Sequence, residues 1–199
     1  MPHSAVPIRT MAFLFAMGLS LFLSACGTPV IIQKLPNLTF AHLTPINLNV
    51  AKIDVAVHYQ PPLRAPNVEH LFPTQPAAAI KKWAKDRLRA VGNSGKALLV
   101  IVNASVVEKQ LPQKKGFEFT FSRQQSQRYD ASVEVRLEVS DILSQGTTMA
   151  QATRFITVSE DITINKRERY WFGLTEALML DFNAVMEEKI RQHLSRWLR

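Results

Sequence analysis

From Tyr129 to Val139 the chain alternates without a break. Tyr129, Ala131, Val133, Val135, Leu137 and Val139 fall on one side; Asp130, Ser132, Glu134, Arg136 and Glu138 fall on the other. A period of two marks a strand with one buried and one wet face, and its register is fixed by that apolar face. Such a strand needs an apolar layer to lie against. Thr175 to Leu198 supplies one: Leu178, Phe182, Val185, Met186, Ile190, Leu194 and Trp197 recur at three- and four-residue spacing, as on one stripe of an amphipathic helix. Arg196 and Arg199 at its end suit the helix dipole.

Other segments fill in the layers. Ile46, Leu48 and Val50 share one phase, and Ile53, Val55, Val57 and Tyr59 continue in the opposite phase. A bulge or a break into two strands is therefore expected at Ala51-Lys52. Residues 60–76 are proline-heavy and cannot pair as a central strand. A first helix is expected from an N-cap at Thr74, with Pro76 in the first turn, Ile80, Ala84, Leu88 and Val91 as its stripe and Gly92 at C′. Ala97 to Val102 reads as a central strand covered on both faces. Phe117, Phe119 and Phe121 alternate as another strand, Gln145-Gly146 as a turn, and residues 152–160 as a last strand. The predicted class is α+β: a mostly antiparallel sheet, in the order β-α-β-β-β-β-α, with two helices on one face.

The N-terminus carries a different signal. Arg9 and His3 precede about a dozen mostly apolar residues, Met11 to Phe22. This run has the proportions of a secretory h-region and falls short of the roughly 20 residues a membrane-spanning helix needs. Leu23-Ser24-Ala25-Cys26 follows, containing the only cysteine of the chain. This tetrapeptide resembles the lipobox of bacterial lipoproteins. The resemblance implies that the Cys26 thiolate takes a diacylglyceryl group and that signal peptidase II cuts between Ala25 and Cys26. It also implies an acylated N-terminus on a periplasm-facing bilayer. Gly27 in place of Asp points to the outer membrane, with the inner membrane as the alternative. Residues 1–25 are then the signal peptide, 26–45 a lipidated, proline-punctuated tether able to reach about 60 Å, and 46–199 a single α+β domain.

Removing residues 1–25 takes only Arg9 among the charged groups, leaving 23 basic and 16 acidic residues and a net charge of +7. For an exported chain the electrostatic partners are lipid phosphates, anionic glycolipid or acidic cell-wall polymer; nucleic acid is not expected. No cofactor or metal is expected either. Asp54 with His58, and Glu69 with His70, lack the spacing of a metal site. Residues 92–97, GNSGKA, echo a P-loop but lack its first glycine and its Ser or Thr, and read as a helix cap and turn.

Three basic or aromatic stretches are candidate partner or membrane surfaces. Lys81, Lys82, Lys85 and Arg89 crowd the first helix, where lipid phosphates are one partner and plain solvation the other reading. Lys114, Lys115 and Phe117 open a Phe-alternating segment that either buries its rings or meets a bilayer or acyl chain. Lys166, Arg167, Arg169, Tyr170, Trp171 and Phe172 have the composition of an interfacial anchor or docking loop, since three consecutive aromatics cannot all point inward from a strand.

With its lipobox, tether and small body, the chain resembles auxiliary outer-membrane lipoproteins of lipopolysaccharide assembly and of lipid-transporting ABC systems. What this implies is a non-enzymatic envelope component that binds a protein or glycolipid partner. The rival class is a membrane-tethered hydrolase or cell-wall enzyme, which would need His58 or His70 in a cleft with a carboxylate and a hydroxyl. A cell-wall-binding module is a third option.

Overall fold

The computed structural model describes residues 35–112, 125–159 and 161–199. The alternating segment forms β5 (Gln125–Ser140), flanked by β4 (Lys96–Gln110) and β6 (Gln145–Ser159) in an antiparallel meander; β2 (Lys52–Val57) adds to β4 in parallel. Odd-numbered residues of β5 from Tyr129 to Val139 are buried and even-numbered ones half-exposed. Both helices, α1 (Pro76–Arg87) and α2 (Ile164–His193), pack on the buried face. Ile80 and Trp83 of α1 and Leu178, Phe182, Met186 and Ile190 of α2 share one core with it. The fold is α+β, with two helices against a mixed, mostly antiparallel four-stranded sheet.

The break expected near Ala51 separates β1 (Ile46–Leu48) from β2 and sends them to different sheets. β1 pairs in parallel with β3 (Leu88–Ala90) and bridges Leu198 on its other side. The first helix therefore stops at Arg87, short of the expected Val91, and Val91 is exposed. β1 outcompetes a further helical turn because it offers carbonyls: Val91 N–H donates to Leu48 O and Gly92 N–H to Val50 O, both at 3.0 Å. Gly92 is needed for close approach, since a Cβ there would lie 2.6 Å from the Asn49 carbonyl carbon. The helix begins after Gln75, with Pro76 at its first position and no capping side chain.

Three further expectations shift. The Ala97–Val102 run lies within the 15-residue β4, flanked by β2 and β5. Val100 on the helix-free face is buried, while Leu98 and Val102 there are only partly covered. A bulge at Val102 resets the phase where His58 and Tyr59 N–H groups turn onto Ile101 O and β2 leaves the sheet. The β5–β6 turn is Asp141–Ser144, and Gly146 sits inside β6, where a Cβ would meet Trp197 at 2.6 Å. The last helix starts eleven residues before Thr175, at Ile164, and ends at His193, so Arg196 and Arg199 lie beyond it and Arg191 and His193 occupy its last turn. The four strands after α1 are thus β3 to β6; the strand expected at residues 117–121 lies outside the described residues.

The segment read as tether joins the body from Leu35. Phe40 is buried, and Leu38 and Leu43 pack beside it. Two charged residues ending α1 hold the segment: Asp86 Oδ2 accepts the Phe40 N–H and the Thr39 hydroxyl, both at 3.0 Å, and Arg87 donates to Thr44 O. Prolines punctuate a packed extended segment as readily as a free one, which is why composition did not separate the two.

Candidate functional site

The body has two ends. One carries the start of α2 with the outgoing end of β4 and the incoming end of β5. The other carries the β5–β6 turn and the C-terminal ends of both helices. At about 3.3 Å per residue, β5 separates them by roughly 50 Å.

At the first end, Thr163 caps α2, its hydroxyl accepting Lys166 N–H at 3.4 Å. The stretch read as a loop is thus two helical turns, and a 100° step per residue sorts its three aromatics. Trp171 and Phe172 are buried on the stripe that continues to Leu178 and Phe182, and Tyr170 remains exposed. Trp171 stacks on Phe72 (4.8 Å between centroids, 12° between planes), and Tyr129 meets both edge-on at 5.5 and 6.4 Å. Burial, then the Glu108 charge, raise the Tyr129 hydroxyl above its ordinary value; it donates to Gln127 Oε1 at 3.1 Å. Outside this trio stand Ile164 (74% exposed), Lys166, Arg169 and Tyr170, with Arg167 partly buried. Glu168 is the only acid between Thr163 and Gly173. The first turn of α2 thus carries two cations, Lys166 and Arg167, and no acid, an arrangement that costs about 0.3–1 kcal/mol per cation.

The first basic cluster is partly engaged. Lys81, Lys82 and Lys85 are exposed on α1, but Lys82 bonds Asp86 at 2.7 Å. Asp86 is held below the usual carboxylate range: burial pushes it up but is outweighed by Lys82, the Phe40 N–H and the Thr39 hydroxyl. Arg89 belongs to β3, where its Nη1 donates to the Lys85 carbonyl at 2.7 Å. The helices run parallel, registered by Thr175 Oγ1 to Thr74 O (3.1 Å), Trp83 Nε1 to Asn183 Oδ1 (2.8 Å) and Arg87 to Glu187. That register sets Lys81–Lys85 about 20 Å along α2 from Arg169, so the two clusters form separate surfaces. Lys114, Lys115 and Phe117 lie outside the described residues, as do Ala25 and Cys26; the described ends of β4 and β5 that flank residues 113–124 reach the α2 end.

His70 is partly buried, and its Nδ1 has no hydrogen-bond partner among the described residues. His58 is exposed, and Asp54 pairs with Lys52 at 2.9 Å. Glu69 is buried, its Oε1 taking the Tyr59 hydroxyl at 2.7 Å and its Oε2 the Val106 N–H at 3.1 Å, which fastens the proline-rich loop to β4. Among the described residues no group of three or more His, Cys, Asp or Glu comes together, and no helix is long and apolar enough to cross a membrane. Residues 91–95 join β3 to β4, and Lys96 and Ala97 already belong to β4; Gly95 has φ +78°, and a Cβ there would meet Ser140 O.

Sequence reasoning missed the other end. In the Asp141–Ser144 turn, Ile142 is 90% and Leu143 85% exposed. Asp141 Oδ1 accepts the N–H groups of Leu143 and Ser144 at 2.8 Å, and its Oδ2 accepts Trp197 Nε1 at 2.9 Å. These donors, the Leu143 N–H first, hold its carboxyl below the usual range. Asp141 and Ser144 bracketing two aliphatics was the available signal. No model of a known family matches the chain, and a search of curated proteins finds none similar to it.

Proposed function

We propose that the chain is a membrane-anchored periplasmic lipoprotein, attached through acylated Cys26 to the outer membrane. It acts as a non-enzymatic envelope component that binds a protein or anionic glycolipid partner, as an auxiliary to lipid or lipopolysaccharide transport. The observation that carries this reading is the Leu23–Cys26 lipobox after a short h-region. Two or three acyl chains hold stably where one holds marginally.

The binding role is supported by the start of α2. Lys166 and Arg167 are kept in the first turn of a helix, where they work against its stability, beside Arg169 and the exposed Tyr170 and Ile164. Cations and an aromatic tip on a rigid helix suit an anionic, amphipathic partner. Intact-mass analysis of protein extracted from membranes tests the anchor: loss of residues 1–25 and added acyl mass on Cys26 are expected, and a retained signal with a bare thiol refutes it. A photoreactive residue in place of Tyr170 tests the binding surface, with a discrete cross-linked envelope component expected.

A further inference from the structure

We infer that the β5–β6 turn is a second membrane contact, with Ile142 and Leu143 dipping into an anionic bilayer so that the body stands with its α2 start pointing away from it. The inference rests on the acylation of Cys26 read above.

Four observations carry it. Ile142 and Leu143 are the two most exposed large apolar side chains among the described residues, and they sit at a convex turn. The turn is braced from below. Asp141 takes the N–H groups of Leu143 and Ser144 and the Trp197 indole, and the Asp141 N–H returns to Ser144 O at 2.9 Å. The Leu143 and Ser144 N–H groups are thus met within the turn, which lowers the cost of bringing its tip into a bilayer interface.

Two exposed cations flank the turn: Lys96 aligns with Ser140 across the sheet and Arg196 adjoins Trp197. Lys52, in the same row, is paired with Asp54 at 2.9 Å, and the turn's own acid, Asp141, is engaged by the donors just named. Such a pair is attracted to anionic headgroups while the aliphatic tip passes between them. Finally, the chain joins the body on this side. Phe40 and Thr44 bind the last two residues of α1, the second of which pairs with Glu187, six residues before the end of α2 and so in the half of the body that carries the turn. Eight residues separate Cys26 from Leu35, at most about 30 Å of chain.

A protein partner is a poor occupant. Two side chains on a convex tip fall far short of the roughly 800 Å² per side that a stable interface buries. A body already tethered to the bilayer meets it at high effective concentration.

The test uses full-length, membrane-extracted protein carrying Leu143→Cys, labelled with an environment-sensitive dye and reconstituted in phosphatidylglycerol-containing vesicles. Leu143 contributes only its backbone N–H to the turn, so the fold is retained; circular dichroism against the parent checks this. Lys166→Cys, labelled in the same way, reports the opposite end.

The expected result is blue-shifted emission at position 143, quenched by acyl-chain nitroxide lipids and reduced in pure phosphatidylcholine, with aqueous emission at 166. Aqueous emission at 143 on protein of confirmed acyl mass overturns the tip contact and leaves the anchor standing. A blue shift that lipid quenchers do not touch identifies a protein contact and overturns it too. A bare Cys26 by intact mass overturns the anchor, and the tip contact falls with it.

Discussion

The two ends of the sheet treat polarity in opposite ways. At the α2 start the apolar groups are inside, in the Phe72–Tyr129–Trp171 trio, and the charges stand outside, at the end of the helix dipole that disfavours them. At the β5–β6 turn the polar groups are tied to one another through the half-buried Asp141, and two aliphatics stand outside. Folding by itself would reward an acid over a cation in the first turn of α2, and polar side chains over aliphatic ones at the tip of the β5–β6 turn. Under the function proposed above, each end departs from its own stability optimum toward a different surface: an anionic, amphipathic partner at one, hydrocarbon at the other.

The largest expected effect removes the reason the ends differ. With Cys26→Ala, residues 1–25 should remain attached and acyl mass should be absent, read by intact mass of the extracted protein. Next comes the half of the body that receives the tether. Glu187→Ala leaves the Arg87 guanidinium, 2% exposed, without its carboxylate; breaking such a buried pair costs about 3 kcal/mol. A denaturant midpoint checks it.

At the turn, Trp197→Phe removes the indole bond to Asp141 and should lower stability by about 1 kcal/mol, seen in thermal melts. Asp86 gives a pH signature. Its carboxyl is depressed in the folded chain, so its contribution is present above the unfolded value near 4 and is lost as pH falls through the lower folded value. Acid titration of the melting temperature should flatten in that window for Asp86→Asn. The smallest effect is a gain: Lys166→Glu places an acid at the positive end of α2 and should stabilise the isolated protein by about 0.5 kcal/mol. The same change should weaken cross-linking from position 170, and a variant that loses stability instead would break the contrast at that end.

Much of this architecture was legible in the residues, because periodicity reports burial directly. The alternation of β5 and the helical stripe from Leu178 to Ile190 lie where the sequence puts them, while Leu194 and Trp197 are buried beyond the end of the helix. Boundaries decided by partners distant in the chain were not legible. Leu88–Ala90 is helix by pattern and strand by virtue of β1, forty residues away. Residues 164–174 read as loop because basic residues interrupt the stripe, yet their aromatics fit helical spacing. Gly146 looked like a turn residue but is small because Trp197 packs over it. At the candidate site, composition found the cations and aromatics of the α2 start but could not sort which rings turn inward. It passed over Ile142 and Leu143, because exposure of an aliphatic pair is a property of the turn.

The central claim is that one end faces the bilayer and the other faces away. Energy transfer to a headgroup acceptor tests it most directly, using acylated protein in vesicles with the donor at Leu143→Cys or at Lys166→Cys. The account predicts strong transfer from 143 and weak transfer from 166, as a separation of roughly 50 Å along the strands requires. Equal transfer from both positions, or stronger transfer from 166, would contradict it.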